Sequence, residues 1–190
     1  AGGDYWVLKL GSMGTLEWSQ YYGGTFTDTA YAATETQTGD FLIVGSSDSE
    51  DVDISNNKGS YDFWVLKLSS SGNMLWEKSF GGSEIDQARD LTLTSDGNFL
   101  IVGDSRSNDN DLTNNYGTSD VWIVKIDSDG ELLWEKSFGG SNFEGVQAIN
   151  VADNNSFLIS GNSRSSDIDL IQNKGNNDAW IFSINNNGVK

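Results

Sequence analysis

Short apolar runs recur along the whole chain, each bounded by clusters of Gly, Ser, Asn and Asp. Tyr-Trp-Val-Leu-Lys-Leu (5–10) is followed by Gly11-Ser12-Met13-Gly14 and then by Thr-Leu-Glu-Trp-Ser-Gln-Tyr-Tyr (15–22). A run, a tight Gly/Asp/Ser turn and a second run read as a β-hairpin. A small-residue, β-branched segment from Asp28, Thr-Ala-Tyr-Ala-Ala-Thr-Glu, alternates with period two and leads through Thr38-Gly39-Asp40 into Phe-Leu-Ile-Val-Gly (41–45). This is a second hairpin. The outward strands mix apolar positions on both faces, as expected where a neighbouring sheet covers each side. No stretch keeps the helical period long enough to predict a helix.

The pattern then repeats. The stretch from Asp120, DVWIVKIDSDGELLWEKSFGG, returns as DFWVLKLSSSGNMLWEKSFGG from Asp62 and as DYWVLKLGSMGTLEWSQYYGG from Asp4. It begins again as DAWIFSINNNG from Asp178, and the four starts are spaced by 58 residues each time. The second hairpin also recurs, as DQARDLTLTSDGNFLIVG from Asp86 and EGVQAINVADNNSFLISG from Glu144. Strands are therefore expected near 5–10, 15–22, 29–37 and 41–46, and at 58-residue offsets from these. Residues 1–190 read as a single array, with repeats at 4–61, 62–119 and 120–177 and a partial repeat at 178–190.

Four antiparallel strands per unit of this length is the arithmetic of a β-propeller blade. The expected fold is all-β, with four-stranded antiparallel blades forming a partial propeller or part of a longer or oligomeric ring. Small residues in the first strand of each unit suit a crowded centre where blades converge. Two Trp series, Trp6, Trp64, Trp122, Trp180 and Trp18, Trp76, Trp134, fall at equivalent positions and are expected to pack blade on blade. The chain enters at a third strand and stops after another, so about three repeats are expected not to close a ring unaided. A longer repeat chain, or further copies of the same chain, is expected to complete it.

Composition narrows the function. Eleven Lys and Arg against 28 Asp and Glu give a net charge of −17, which repels nucleic acid and anionic membranes alike. No apolar run is long enough to insert in a membrane, and neither a basic start nor an apolar leader is present. With no His, the usual general base is missing, so the many Ser residues have no such partner to activate them. With no Cys there is neither disulfide nor thiol chemistry, and with no Pro the turns fall to Gly, Asn, Asp and Ser. The Gly-Gly pairs beginning at 23, 81 and 139 lack the lysine and helix of a phosphate loop and read as turns.

The chemistry with the clearest pattern lies in three aligned loops, 47–62, 105–120 and 163–178. Each carries Asp-x-Asp, then Asn four residues on and Gly two beyond that. The sets are Asp51, Asp53, Asn57, Gly59; Asp109, Asp111, Asn115, Gly117; and Asp167, Asp169, Asn173, Gly175. Alternating acids with an Asn and a Gly bend suit a hard cation such as Ca²⁺, although the terminal Glu of an EF-hand is absent. The same residues also suit turns in which Asx side chains cap their own backbone. Asp28, Asp86 and Glu144 recur just before the small-residue strands, placed to bond amides of an adjacent blade.

The pattern D-x-W-[IV]-x-K-[IL]-x-x-x-G-x-x-x-W-E-K-[ST]-[FY]-G-G-S, followed by A-x-x-[IL]-x-x-[TS]-x-D-G-x-[FY]-[IL]-[IV]-G, resembles the β-propeller repeats of bacterial secreted and cell-surface proteins. The resemblance covers the whole chain and departs at Ser19-Gln20 and at Ser183. It implies a blade fold and an extracellular or cell-surface location, with no shared catalytic residue. A non-enzymatic structural or binding module is the expectation, engaging a protein or glycan ligand, or further repeats, for adhesion or recognition. The alternative is a glycan-active hydrolase or lyase with acids lining the channel. Blades that differ mainly by conservative swaps favour the module, since an active site needs one blade to differ from its siblings.

Overall fold

The computed structural model describes residues 2–153 and 156–190. Among them are thirteen strands and no helix. In chain order these are β1 (Tyr5–Leu10), β2 (Leu16–Tyr22), β3 (Asp28–Glu35), β4 (Phe41–Ser47), β5 (Asp62–Leu68), β6 (Met74–Phe80), β7 (Asp86–Leu93), β8 (Phe99–Ser105), β9 (Asp120–Ile126), β10 (Leu132–Phe138), β11 (Glu144–Asp153), β12 (Ser156–Ser163) and β13 (Asp178–Asn185). The expected boundaries hold to within one or two residues. The largest shifts are at the first two inner strands, expected at 29–37 and 87–95 and found at Asp28–Glu35 and Asp86–Leu93.

The strands form four antiparallel sheets, in the orders β1-β2, β3-β4-β5-β6, β7-β8-β9-β10 and β11-β12-β13. The two complete sheets are four-stranded blades built from a first and second strand of one sequence unit and the third and fourth of the next. A blade thus straddles the 58-residue frame that begins at Asp62.

Side chains alternate across each sheet, so every central strand feeds two cores. Leu42 and Val44 of β4 join Ala88, Leu91 and Ile101 of the third sheet, whereas Ile43 joins Tyr5 and Tyr22 of the first. The pattern is repeated one unit on, where Leu100 and Val102 join Val146, Ile149 and Ile159. Burial on both faces explains why Phe-Leu-Ile-Val is unbroken by polar residues. Trp64 and Trp122 are fully buried between blades, with Tyr5 and Phe63 of the preceding sheets against them at ring-centroid distances of 4.4 and 4.6 Å. Trp6 has no preceding sheet and is 60% exposed.

The inner strands β3, β7 and β11 each carry a register shift at the same place, between Ala30 and Ala32, Ala88 and Asp90, and Val146 and Ala148. A bulge there re-aims the intervening side chain. As a result the Arg89 guanidinium lies 4.9 Å above the Tyr31 ring and reaches Asp104 at 3.2 Å. Blades are further held by their outer turns. Trp18 Nε1 donates to the Ser70 carbonyl at 3.0 Å, and Lys67 Nζ donates to that of Ser128 at 2.9 Å.

Candidate functional site

The acidic loops and the Gly-Gly pairs meet at the three places where the chain crosses from the outer strand of one sheet to the inner strand of the next. At the first, Gly23 and Gly24 lie between β2 and β3, and the loop after β4 folds over them. Thr25 N donates to Asp51 Oδ1 at 2.8 Å and Gly23 N to Asp53 Oδ2 at 3.1 Å. Asn57 Nδ2 donates to the carbonyls of Ser47 and Ser49, both at 3.1 Å, and its Oδ1 accepts Gly59 N at 3.0 Å.

The second and third crossovers copy these bonds. Ser83 N reaches Asp109 Oδ1 at 2.8 Å and Gly81 N reaches Asp111 Oδ2 at 3.0 Å; Asn115 bridges Ser105 and Ser107, and accepts Gly117 N. Ser141 N reaches Asp167 Oδ1 at 2.9 Å and Gly139 N reaches Asp169 Oδ2 at 3.1 Å; Asn173 donates to Ser163 O and accepts Gly175 N. The nine loop residues singled out as metal ligands are therefore brought together in three sets, and in each set carboxylate oxygens accept backbone N–H groups. Among the described residues no group of three or more acidic side chains converges as a cation site would require. Asn57, Asn115 and Asn173 close local Asx turns onto Gly59, Gly117 and Gly175, whereas the Asp carboxylates cap N–H groups of the Gly-Gly crossover 26 to 30 residues away in the chain. The carboxyls of Asp51, Asp109 and Asp167 are held below their ordinary range by the hydrogen bonds from Thr25, Ser83 and Ser141.

Asp28, Asp86 and Glu144, all buried at the head of the inner strands, anchor the same crossovers. Asp28 accepts Ser47 Oγ at 2.5 Å and Gly24 N at 2.7 Å. Asp86 accepts Ser105 Oγ, Ser107 Oγ at 2.8 Å and Gly82 N at 2.7 Å. Glu144, one methylene longer, makes the equivalent bonds to Ser163 Oγ at 2.6 Å and Gly140 N at 2.7 Å. Rather than the expected amides of an adjacent blade, these acids bond an amide of their own crossover, four residues before them, and a Ser of the second strand of their own sheet.

Sequence reasoning missed Asp62 and Asp120. Each opens a third strand, and each is fully buried. Their Oδ2 atoms accept Lys58 N at 2.7 Å and Tyr116 N at 2.6 Å, but their Oδ1 atoms find no hydrogen-bond partner. Both oxygens sit against glycines. A β-carbon on Gly81 would lie 2.2 Å from Asp62 Oδ1 and 2.8 Å from Asp86 Oδ2, and one on Gly139 would lie 2.2 Å from Asp120 Oδ1 and 2.7 Å from Glu144 Oε2. Two carboxyls thus face each other across a bare α-carbon. Burial, and then the charge of Asp86, push Asp62 up to about 7 against the pull of the Lys58 amide. Burial and Glu144 do the same to Asp120, also to about 7. The recurrence of Asp4, Asp62, Asp120 and Asp178 at the start of every unit was the available signal.

The loop tips differ where the crossovers do not. Val52, Asn110 and Ile168 are equivalent residues, all with positive φ, at 61°, 55° and 56°. Asn accepts that conformation readily, whereas a β-branched side chain is strained by it. Val52 and Ile168 are nevertheless 82% and 63% exposed.

The fold and these junctions define an open all-β array of repeated four-stranded antiparallel blades. No established family profile matches the chain. It is 24% identical over 166 residues to the regulatory protein FlaEY of Caulobacter vibrioides, a match that takes in 82% of this chain and 17% of that protein. The chain therefore spans about a sixth of the length of that relative. Among solved structures it is similar to a protein of unknown function from Bacteroides caccae, with a TM-score of 0.43 and 16% identity, over 78% of this chain and 43% of the other.

Proposed function

We propose that this chain is a non-enzymatic binding module of a bacterial secreted or cell-surface protein, built from propeller-type repeats and engaging a protein or glycan through its loop tips. The observation that carries the reading is the sameness of the three crossovers beside the difference of their tips. The loop carboxylates are committed to backbone N–H groups in the same way three times over, and the two facing acid pairs, Asp62 with Asp86 and Asp120 with Glu144, are buried and repeated rather than placed in a cleft as hydrolysis of a glycosidic bond needs. What varies is the exposed set Val52, Asn110 and Ile168, with apolar residues kept in a backbone conformation that suits them poorly. Strain retained at an exposed apolar position supports a recognition role there. The match to a stretch of a much longer bacterial protein supports a module rather than a free-standing enzyme.

The test pairs stability with binding. Val52→Asn and Ile168→Asn relieve the backbone strain, so together they should raise the melting temperature, each contributing on the order of 1 kcal/mol. The same double variant should lose saturable binding on arrays of bacterial surface glycans and extracellular proteins to which the wild-type chain binds. Release of new reducing or unsaturated ends from a polysaccharide panel would instead favour the glycan-active alternative.

A further inference from the structure

The turn between β7 and β8, the end of β9 and the turn after β13 meet at one point, and each brings a different functional group. Lys125 of β9 is 4% exposed, a buried amine in a strand that is otherwise apolar after Asp120. Its Nζ lies 2.8 Å from Asp96 Oδ2 and 2.8 Å from Asn186 Oδ1. Asn186 Nδ2 donates to the same Asp96 oxygen at 2.9 Å. An amine, a carboxamide and a carboxylate thus touch pairwise, and one carboxylate oxygen bridges the other two groups. Thr94 Oγ donates to the second Asp96 oxygen and fixes the carboxylate in place.

Among the described residues the combination occurs once. One unit earlier the same places hold Thr38, Lys67 and Ser128, and Lys67 Nζ donates to the Ser128 backbone carbonyl at 2.9 Å. That contact is a hydrogen bond and nothing more, since Ser128 has no acyl side chain and Thr38 no acid. An ion pair would require only Lys125 and Asp96. Asn186 adds an electrophilic carbon beside the amine, and the shared Asp96 oxygen adds a route for protons between the nucleophile and its leaving group.

We propose that Lys125 and Asn186 join in an intramolecular isopeptide bond, with Asp96 carrying the protons. Lys125 Nζ gives one proton to Asp96 Oδ2 and attacks Cγ of Asn186; a C–N bond forms to Nζ as the bond from Cγ to Nδ2 breaks. Asp96 passes the proton to Nδ2, which departs as ammonia, then relays to it the second proton shed by the acylated Nζ. An ammonium side chain and a carboxamide become a secondary amide and an ammonium ion, with no oxidant or reductant. Burial raises the Asp96 carboxyl, but hydrogen bonds from Lys125, Thr94 and Asn186 outweigh it and hold the group below its ordinary range. The reaction therefore starts from an ion pair and proceeds faster as pH rises. The bond ties β9 of one sheet to the end of β13 in the next, across 61 residues of chain, whatever the loop tips recognise.

The test holds the 190-residue chain in mildly alkaline buffer for several days and follows its intact mass. A species lighter by one ammonia should accumulate, and trypsin should release a branched peptide in which Lys125 is uncut and carries the segment containing Asn186. Lys125→Arg keeps a cation beside Asp96 without a nucleophilic amine, so it should keep its full mass. Asp96→Asn should slow the loss roughly a hundredfold, with melting curves to check that both variants fold. The wild-type digest decides the matter even where a variant fails to fold. Full mass throughout, with Lys125 cut normally, would overturn the proposal. So would an ammonia loss that persists in Lys125→Arg, which would assign it to a succinimide at the neighbouring Asn187-Gly188 pair.

Discussion

Asp62 is the residue whose energetics depend most on its surroundings. Its carboxyl titrates near 7 in the fold and near the ordinary aspartate value once unfolded, so between about pH 4 and pH 7 the native state keeps a proton that the unfolded chain releases. Stability from this site is therefore complete below pH 4 and is lost as pH rises through 7. Asp62→Asn should flatten that dependence. The amide oxygen can accept Lys58 N as Oδ2 does now, and the amide nitrogen can donate toward Asp86 without carrying charge. Melting curves at pH 4.5 and pH 8 should show the variant close to wild type at the lower pH and more stable at the higher, by a few kcal/mol at most. A variant less stable than wild type at pH 8 would remove the argument. Asp120 faces Glu144 in the same way, so the Asp62→Asn variant retains a residual pH response.

At the scale of the element, the outer hairpin turns are where one blade touches the next. Gly72, Gly130 and Gly188 all have positive φ, and a β-carbon on them would meet the rings of Trp18, Trp76 and Trp134 at 3.0–3.1 Å. Gly14 has the same φ, with nothing within 4 Å. The four positions separate two costs of a side chain. Gly14→Ala should lose only the conformational contribution, roughly 1 kcal/mol, whereas Gly130→Ala should lose that and more as the Trp76 ring is displaced. Equal effects on the melting temperature would mean that the Trp ring yields freely.

These turns also show what could be read in advance. Period-two alternation, Gly and Asp turns and the 58-residue spacing carried the strands, their order and the blade count, because those depend on local pattern and repetition. The sequence also paired the right residues in the acidic loops, but it could not choose between a cation and a backbone as their partner. The N–H groups that these carboxylates accept, those of Gly81 and Gly139, lie about 30 residues away along the chain and reach Asp111 and Asp169 only in the fold. Asp62 escaped notice for a related reason, since burial of a strand-opening acid is a property of packing and not of pattern.

Over the whole molecule, 28 acids against 11 bases place like charges close together in the three acidic loops, while buried ion pairing is sparse among the described residues. Lys58 with Asp111 at 2.8 Å and Lys190 with Asp169 at 3.1 Å relieve two of the crossovers in part. Sodium chloride should therefore raise the melting temperature by screening the remainder. The rise should persist in excess chelator, because the loop carboxylates are held by backbone N–H groups. A fall in melting temperature on chelation, restored by Ca²⁺, would show a cation replacing those donors.

The clamped crossovers also impose an order in time. Gly81 leaves the ribosome well before Asp111, which later accepts its N–H, and the intervening residues contain the two strands that begin the next blade. A nascent chain ending anywhere between them has a finished outer strand but an unsecured exit from it. Each blade is thus sealed by the one made after it, and synthesis proceeds as a series of delayed closures, with one junction always waiting on protein not yet translated.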